Sequence, residues 1–288
     1  MTLAAGFRCS DGIVLCTDSQ MTALDGTKYN AQKIFEYEAH YGHIYAVFAF
    51  AGIETFSRMC IERLAKCVLN SEPAKVEEAL RDEAFAIHEA YAPLATADST
   101  GYVLDVLVAV KFQLADGDEL SLYHIEGPAV SPIQNFVCIG MGRAIGRQAA
   151  TLFYREGLTV IEASRIGIYC VQQAKDHVYA CGGPSQVTLL WDDTEEEMGS
   201  TSPLSMQQSD ILEVETGFTA LFVALRPVFL SLNSSNTYDP SFPKHLKDAA
   251  NTIKKIWNKT SGRMVRLERK DQRELEQFIK EQNKSKGT

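Results

Sequence analysis

"MTLAAGFRCSDGIVLCTDSQ", Met1–Gln20, opens the chain. From Thr2 to Cys9 apolar and small residues form a strand-like run, Ser10-Asp11-Gly12 supplies turn chemistry, and Ile13 to Thr17 resumes the strand. The segment reads as a β-hairpin that carries Asp18 back towards Thr2. How close it comes depends on the turn. A two-residue turn at Asp11-Gly12 sets Asp18 across from Ala5, on the face opposite Thr2. A three-residue turn, Ser10-Asp11-Gly12 with Gly12 left-handed, sets it across from Ala4, on the side of Thr2. We expect the three-residue turn. Two residues along a strand still span about 7 Å, so a long lysine arm is expected to bridge Asp18 to Thr2.

Removal of Met1, usual before a residue as small as threonine, would give Thr2 both a hydroxyl and a free α-amine. An α-amine has an ordinary pKa of about 7.7–8.0, suited to a general base near neutral pH. Nucleophile and base would then share one residue. Such a site needs a cation to hold the amine's pKa down and to stabilise the alkoxide, and a carboxylate to orient that cation. Lys33 and Asp18 supply these residue types.

Further along, a polar loop runs from Gln20 to Tyr29. Strands are expected around Lys33-Ile34-Phe35 and over "HIYAVFAFAG", ending at Gly52. Helical patterns follow over Thr55 to Leu69 and after Ser71-Glu72-Pro73. Strands return at Leu104 to Leu114 and Leu120 to Ile125, joined by "ADGDE", and again at "NFVCIGMG". Helices come back from Arg143 to Glu156 and, behind a Thr159…Glu162 capping box, to about Asp176. Gln186 to Trp191 closes the pattern as a strand. Sheets packed on one another with helices segregated outside are the architecture this order implies, an α+β fold.

The quoted opening, then "KIF" and "AFAG", resembles the start of a proteasome β-type subunit, a family of N-terminal nucleophile hydrolases and threonine peptidases. The resemblance covers about Thr2 to Trp191. It implies a four-layer αββα sandwich, with Thr2 as nucleophile, Asp18 and Lys33 as its partners and Gly52 as the oxyanion-hole glycine. It also implies Asp176 as a further catalytic residue, while Cys181 and Gly182-Gly183 stand where the family has a serine and paired glycines. Two departures stand out: "GMG" puts Met141 where the family has a serine assisting the amine, and Cys181 comes two residues late. Phe50, two residues before Gly52, falls on the floor of the family's primary specificity pocket, so Phe50 and Met141 are the substrate-binding candidates.

The activity implied is peptide-bond hydrolysis on peptides or unfolded proteins, inside a homo-oligomeric ring, with an ATP-driven unfoldase as partner and no metal or organic cofactor. Two alternatives stay open: a catalytically silent ring subunit, and a small-molecule amidase of the same fold.

Composition narrows the rest. With 45% hydrophobic and 23% charged residues the chain is ordinary for a globular protein. A net charge of −9 argues against nucleic acid as the main partner. The N-terminus reaches Arg8 and Asp11 before any long apolar run, and the later apolar stretch Gly217 to Leu232 is interrupted by Arg226-Pro227, so neither a signal peptide nor a membrane span is expected, and the location expected is cytoplasmic. Seven scattered cysteines without a C-x-x-C pair read as buried reduced thiols. The six histidines show no metal-ligand spacing, and "GMGRAIG" lacks the lysine of a phosphate-binding loop. A composition break near Gly199 divides the chain into a catalytic-type domain, 1–198, and a mainly helical extension, 199–288. Helices are expected there over Lys244 to Trp257 and Arg266 to Gln282. Ser241 to Thr288 carries thirteen Lys/Arg against six Asp/Glu, a basic tail expected to pack against an acidic surface and favour assembly.

Overall fold

The computed structural model describes residues 2–23, 25–39, 43–91, 103–115, 117–192 and 202–233, with the isolated positions 244, 247, 248 and 251 beyond them. The chain divides into two compact units, one formed by Met1–Glu195 with Ser200–Ile211, the other by Glu196–Gly199 with Leu212–Thr288.

The first unit is built on two five-stranded antiparallel sheets. One has the order β10-β1-β2-β11-β12, from β1 (Leu3–Arg8), β2 (Gly12–Asp18), β10 (Phe136–Gly140), β11 (Ser185–Trp191) and β12 (Leu204–Ser205). The other has the order β5-β6-β7-β8-β9, from β5 (Ile34–Ala39), β6 (Ile44–Ala51), β7 (Asp105–Leu114), β8 (Gly117–Glu126) and β9 (Ala129–Pro132). Alternation along each strand explains why they stack. In β6, Tyr45, Val47, Ala49 and Ala51 face a core shared with Ala4, Ile13, Leu15, Ile139 and Leu190 of the first sheet. Ile44, Ala46, Phe48 and Phe50 face the other way, onto α1 (Glu54–Leu69) and α2 (Val76–Tyr91). On the outer face of the first sheet lie α3 (Arg143–Phe153) and α4 (Val160–His177), so the layers read α, β, β, α. The Thr159–Glu162 capping box at the head of α4 is formed as expected.

Three features depart from the sequence reading. The stretch after Asp18, expected as a loop, contains a small hairpin, β3 (Gln20–Thr22) with β4 (Lys28–Asn30). The compact unit runs past residue 198, because β12 adds to the edge of β11 and Gln208 Nε2 donates to Ser185 O at 2.7 Å. Helix α5 (Gln208–Asn233) passes straight through Arg226-Pro227. No helix among the described residues is long and apolar enough to cross a membrane. The helices expected at 244–257 and 266–282 lie essentially outside the described residues.

The β1–β2 turn also differs from expectation, with a consequence for the site. Arg8 pairs with Ile13 and Ala4 with Thr17, so four residues, Cys9 to Gly12, form the loop. Local turn preference is overridden by tertiary ties. Asp11 Oδ1 accepts from Val160 N at 2.7 Å at the start of α4, Ser10 N donates to Leu158 O at 2.9 Å, and Asp192 N donates to Asp11 O at 2.9 Å. The aspartate caps a distant helix instead of closing a tight hairpin turn. Each strand residue therefore faces a partner one step from that expected, and Asp18 falls beside Leu3.

Candidate active site

Thr2, Asp18 and Lys33 are all fully buried and meet at the open end of β1. Asp18 ends β2, and its Oδ1 accepts from Leu3 N at 3.0 Å and from the Thr2 hydroxyl. The expected gap is absent, because the register brings the carboxylate to the threonine itself. Lys33 stands immediately before β5 and reaches across between the sheets. Its Nζ donates to the Thr2 hydroxyl, to Asp18 Oδ1 at 3.1 Å and to Gln20 O at 2.6 Å. The hydroxyl thus accepts from an ammonium and donates to a carboxylate. Burial pulls the Lys33 pKa below the ordinary lysine range, against the opposing pull of Asp18.

The remaining oxygen of Asp18 is held by backbone. Its Oδ2 accepts from Gly182 N at 2.9 Å and from Gln20 N at 3.2 Å, while Gln20 N also donates to Gly182 O at 2.9 Å. A Cβ on Gly183 would run into Asn30 and Ser19 and one on Gly182 into Gln20, so the paired glycines let the chain pass close beside the end of β2. Lys33 is fixed from behind by Gln186, whose Oε1 accepts from Lys33 N at 2.8 Å and whose Nε2 donates to Ala31 O at 2.8 Å. The glycine pair was visible in the sequence; Gln186 carries no sequence signal, being one polar residue in a strand.

The flank formed by Gly140-Met141-Gly142 wraps the Thr2 carbonyl. Gly142 N donates to Thr2 O at 3.1 Å. Gly140 has φ +82° and no room for a Cβ, which would overlap Thr2 O and stand 2.9 Å from Ala51 Cβ. Met141 between them is 56% exposed. Gly52 follows Ala51, so it leaves β6 at this same end, with φ +131°, a conformation that favours glycine.

Two candidates sit elsewhere. Asp176 is exposed in the last turn of α4 and has no hydrogen bond to Thr2, Asp18 or Lys33 among the described residues. Two residues on from buried Ala174 is about 200° around the helix, which turns it to solvent. Phe50 is fully buried on the α1/α2 side of β6, stacked on Phe35 with ring centroids 6.1 Å apart, and offers no surface to a ligand in this conformation. Cys181 does approach the centre. Its Sγ would lie 3.1 Å from a Cβ on Gly142, and its pKa is pushed up to about 12 by burial and by Asp18, so it is a neutral thiol. Among the described residues no group of three or more His, Cys, Asp or Glu is placed to hold a metal ion.

A buried threonine on a lysine–aspartate pair, at the end of the strands of an αββα sandwich, defines a protein of the N-terminal nucleophile hydrolase fold. Residues 2–189 match the family model described as "Proteasome subunit", and the chain belongs to that family. Proteins named "Proteasome subunit alpha" from three strains of Methanococcus maripaludis are 25% identical to it over 182 residues, covering 62% of this chain and 66% of theirs. The chain thus spans about 66% of the length of these curated relatives. Among solved structures, Anbu (ancestral beta-subunit) from Yersinia bercovieri superposes with a TM-score of 0.65 at 15% identity, over 82% of this chain and 100% of that one. Anbu of Pseudomonas aeruginosa, solved as a helical assembly, gives a TM-score of 0.58 at 15% identity, over 83% of this chain and 99% of that one. At such identity the likeness to Anbu is one of fold.

Proposed function

We propose that the chain is a threonine-type peptidase of the proteasome β class, active after Met1 is removed. The observation that carries this reading is the Thr2 hydroxyl held between the Lys33 ammonium and the Asp18 carboxylate, with all three residues buried. The freed Thr2 amine takes the hydroxyl proton as Oγ1 attacks the peptide carbonyl carbon. Lys33 stabilises the oxygen as its negative charge develops, and Asp18 keeps Lys33 in place. The tetrahedral oxyanion is received by the Gly52 N–H. The C–N bond then breaks, the amine's proton passes to the departing amino group, and water hydrolyses the ester left on Thr2. Met141 borders the site on one side and contacts the substrate there. Asp176, exposed and without a hydrogen bond to Thr2, Asp18 or Lys33 among the described residues, has no part in this scheme.

The names of the similar proteins, a proteasome subunit and a component of an "Anbu Complex", support an oligomeric assembly; the reading extends this to a homo-oligomer in the cytoplasm acting on peptides or unfolded proteins. Serving such an assembly, an ATP-driven unfoldase is the matching partner.

A silent structural subunit is the second reading. It is favoured by Met141 in the place of the family's serine and by relatives that carry the alpha name. Intact mass of the purified protein, followed by treatment with a threonine-directed peptide electrophile, separates the two. Loss of Met1 and an adduct on Thr2, absent in Thr2→Ala, is the expected result. A retained methionine, or no adduct on a processed chain, leaves the structural subunit as the better reading.

A further inference from the structure

The two flanks of Thr2 come from different sheets: β6 delivers Ala51 and Gly52, and β10 delivers Gly140, Met141 and Gly142. A polar contact joins these sheets at this end. Asp105, the first residue of β7, pairs through its backbone with Ala51 on one side and Glu126 on the other. It has the parity of Leu107 and Ala109, which face the core between the sheets. Its Oδ2 accepts from Gly140 N in the opposite sheet at 3.1 Å. The other oxygen, Oδ1, lies 2.9 Å from His124 Nε2 on β8, and the two side chains are 21% and 19% exposed. Beyond them Glu126 faces Arg143 at 3.8 Å on the exposed rim.

Sandwiches are held together mainly by interdigitating apolar side chains, which fix separation well and sliding less well. Among the described residues β10 is the edge strand of its sheet, bonded to β1 alone, and it ends at Gly140. At that point the chain turns around Thr2, and the carboxylate from β7 takes its last strand amide. The same residue sits in register with Ala51, immediately before Gly52. His124 occupies the second carboxylate oxygen and so holds the first on Gly140.

We propose that Asp105 is a positioning residue: by bonding Gly140 across the sheets it sets the distance between the Gly52 N–H and the Thr2 hydroxyl. This rests on the hydrolytic role of Thr2 proposed above. A donor misplaced by a fraction of an ångström from a developing oxyanion loses transition-state stabilisation while substrate still binds.

The test compares kcat and KM for a peptide-amide substrate in the full-length wild type, Asp105→Ala and Asp105→Asn, with hydrogen exchange of the segment 138–142 followed in parallel. Asp105→Ala is expected to lower kcat by roughly 10- to 100-fold, with KM within about twofold and faster exchange at Gly140. Asp105→Asn, which keeps a carbonyl oxygen to accept from Gly140 N, is expected to restore kcat to within about threefold of wild type. A wild-type kcat in Asp105→Ala, or an asparagine variant as poor as alanine, overturns the inference and leaves the proposed function standing. No Thr2-dependent turnover in the wild type overturns both. Should Asp105→Ala fail to fold, His124→Leu carries the test, since it removes the group that orients the carboxylate. A severalfold fall in kcat at constant KM then supports the inference, and an unchanged kcat overturns it.

Discussion

Asp18 contacts both of the first two residues of the β1 end with a single oxygen, accepting the Leu3 amide at 3.0 Å and the Thr2 hydroxyl. That contact exists because the loop from Cys9 to Gly12 is one residue longer than the turn chemistry implies, and the loop is longer because Asp11 is engaged at the head of α4. A helix-capping bond thus sets the register that brings a carboxylate to the nucleophile candidate.

The Lys33–Asp18 pair gives a stability prediction independent of any activity. Both side chains are fully buried, 3.1 Å apart. Asp18→Ala strands an ammonium in a low-dielectric interior, and losing one member of such a pair costs about 3–5 kcal/mol. Urea unfolding is expected to show this loss, and Asp18→Ala with Lys33→Met is expected to recover part of it. A double variant less stable than the single one would show that Lys33 finds other support.

Activity should be bell-shaped in pH. The Thr2 amine must be neutral to accept the hydroxyl proton, so rate rises with pH through its pKa. Lys33 must be charged to stabilise the alkoxide, so rate falls as pH passes the Lys33 pKa. Burial lowers that pKa, which moves the falling limb below the value of about 10.4 for an ordinary lysine. A kcat/KM profile still climbing at about pH 10 would exclude Lys33 from this role.

Met141 lies between the two glycines that wrap the Thr2 carbonyl and is more than half exposed, so a smaller side chain can enter without disturbing the core. Met141→Ser puts a hydroxyl donor and acceptor where the family has one. Turnover is expected to rise severalfold, below the roughly 10²–10⁴-fold that an optimally positioned proton-transfer group can contribute. Single-turnover acylation of Thr2 is the measurement, and an unchanged or lower rate would show that the serine is dispensable here.

Phe50 tests the specificity idea against its packing. The side chain is fully buried in the core against α1 and α2, so truncation to alanine is expected to cost about 3–5 kcal/mol. Phe50→Leu, a milder cut, is the variant for a peptide-library assay. A widened preference towards larger side chains would show that the ring closes the base of a pocket, and an unchanged preference would leave it a core residue.

Much of this was legible because the relevant signals are local. The unbroken apolar run in "HIYAVFAFAG" marks β6 as a strand buried on both faces, the Thr159…Glu162 box marks α4, and Thr2, Asp18 and Lys33 are few enough to pick out by chemistry. The β1–β2 register was not legible, because Asp11 is bonded to a residue 149 positions away. For the same reason Asp105 and His124 carry no local sequence signal: they stand 19 residues apart on neighbouring strands, and Gly140 N belongs to the other sheet. The exposure of Asp176 follows from helix phase, which a motif spacing does not specify once two residues are inserted after it.

The close approach of α4 to the first sheet yields the last test. Gly167 lies over β2 so tightly that a Cβ there would overlap Cys16 Sγ and stand 3.3 Å from a ring carbon of Phe7. Backbone conformation is not the obstacle, since Gly167 sits inside a regular helix where alanine is favoured by about 1 kcal/mol. Gly167→Ala therefore sets a propensity gain against overpacking, which costs about 1–3 kcal/mol. Because Cys16 and Phe7 are fully buried in strands, neither can yield cheaply, and a net loss of stability is expected. Adding Cys16→Ala removes the sulfur and leaves a contact of 3.2 Å to its Cβ, so the double variant should be more stable than Gly167→Ala alone. Strongly non-additive unfolding energies would locate the strain at this contact. Additive ones would mean that α4 lifts from the sheet as a whole, and the Asp11 bond at its head, with the hairpin register it sets, would then be expected to loosen with it.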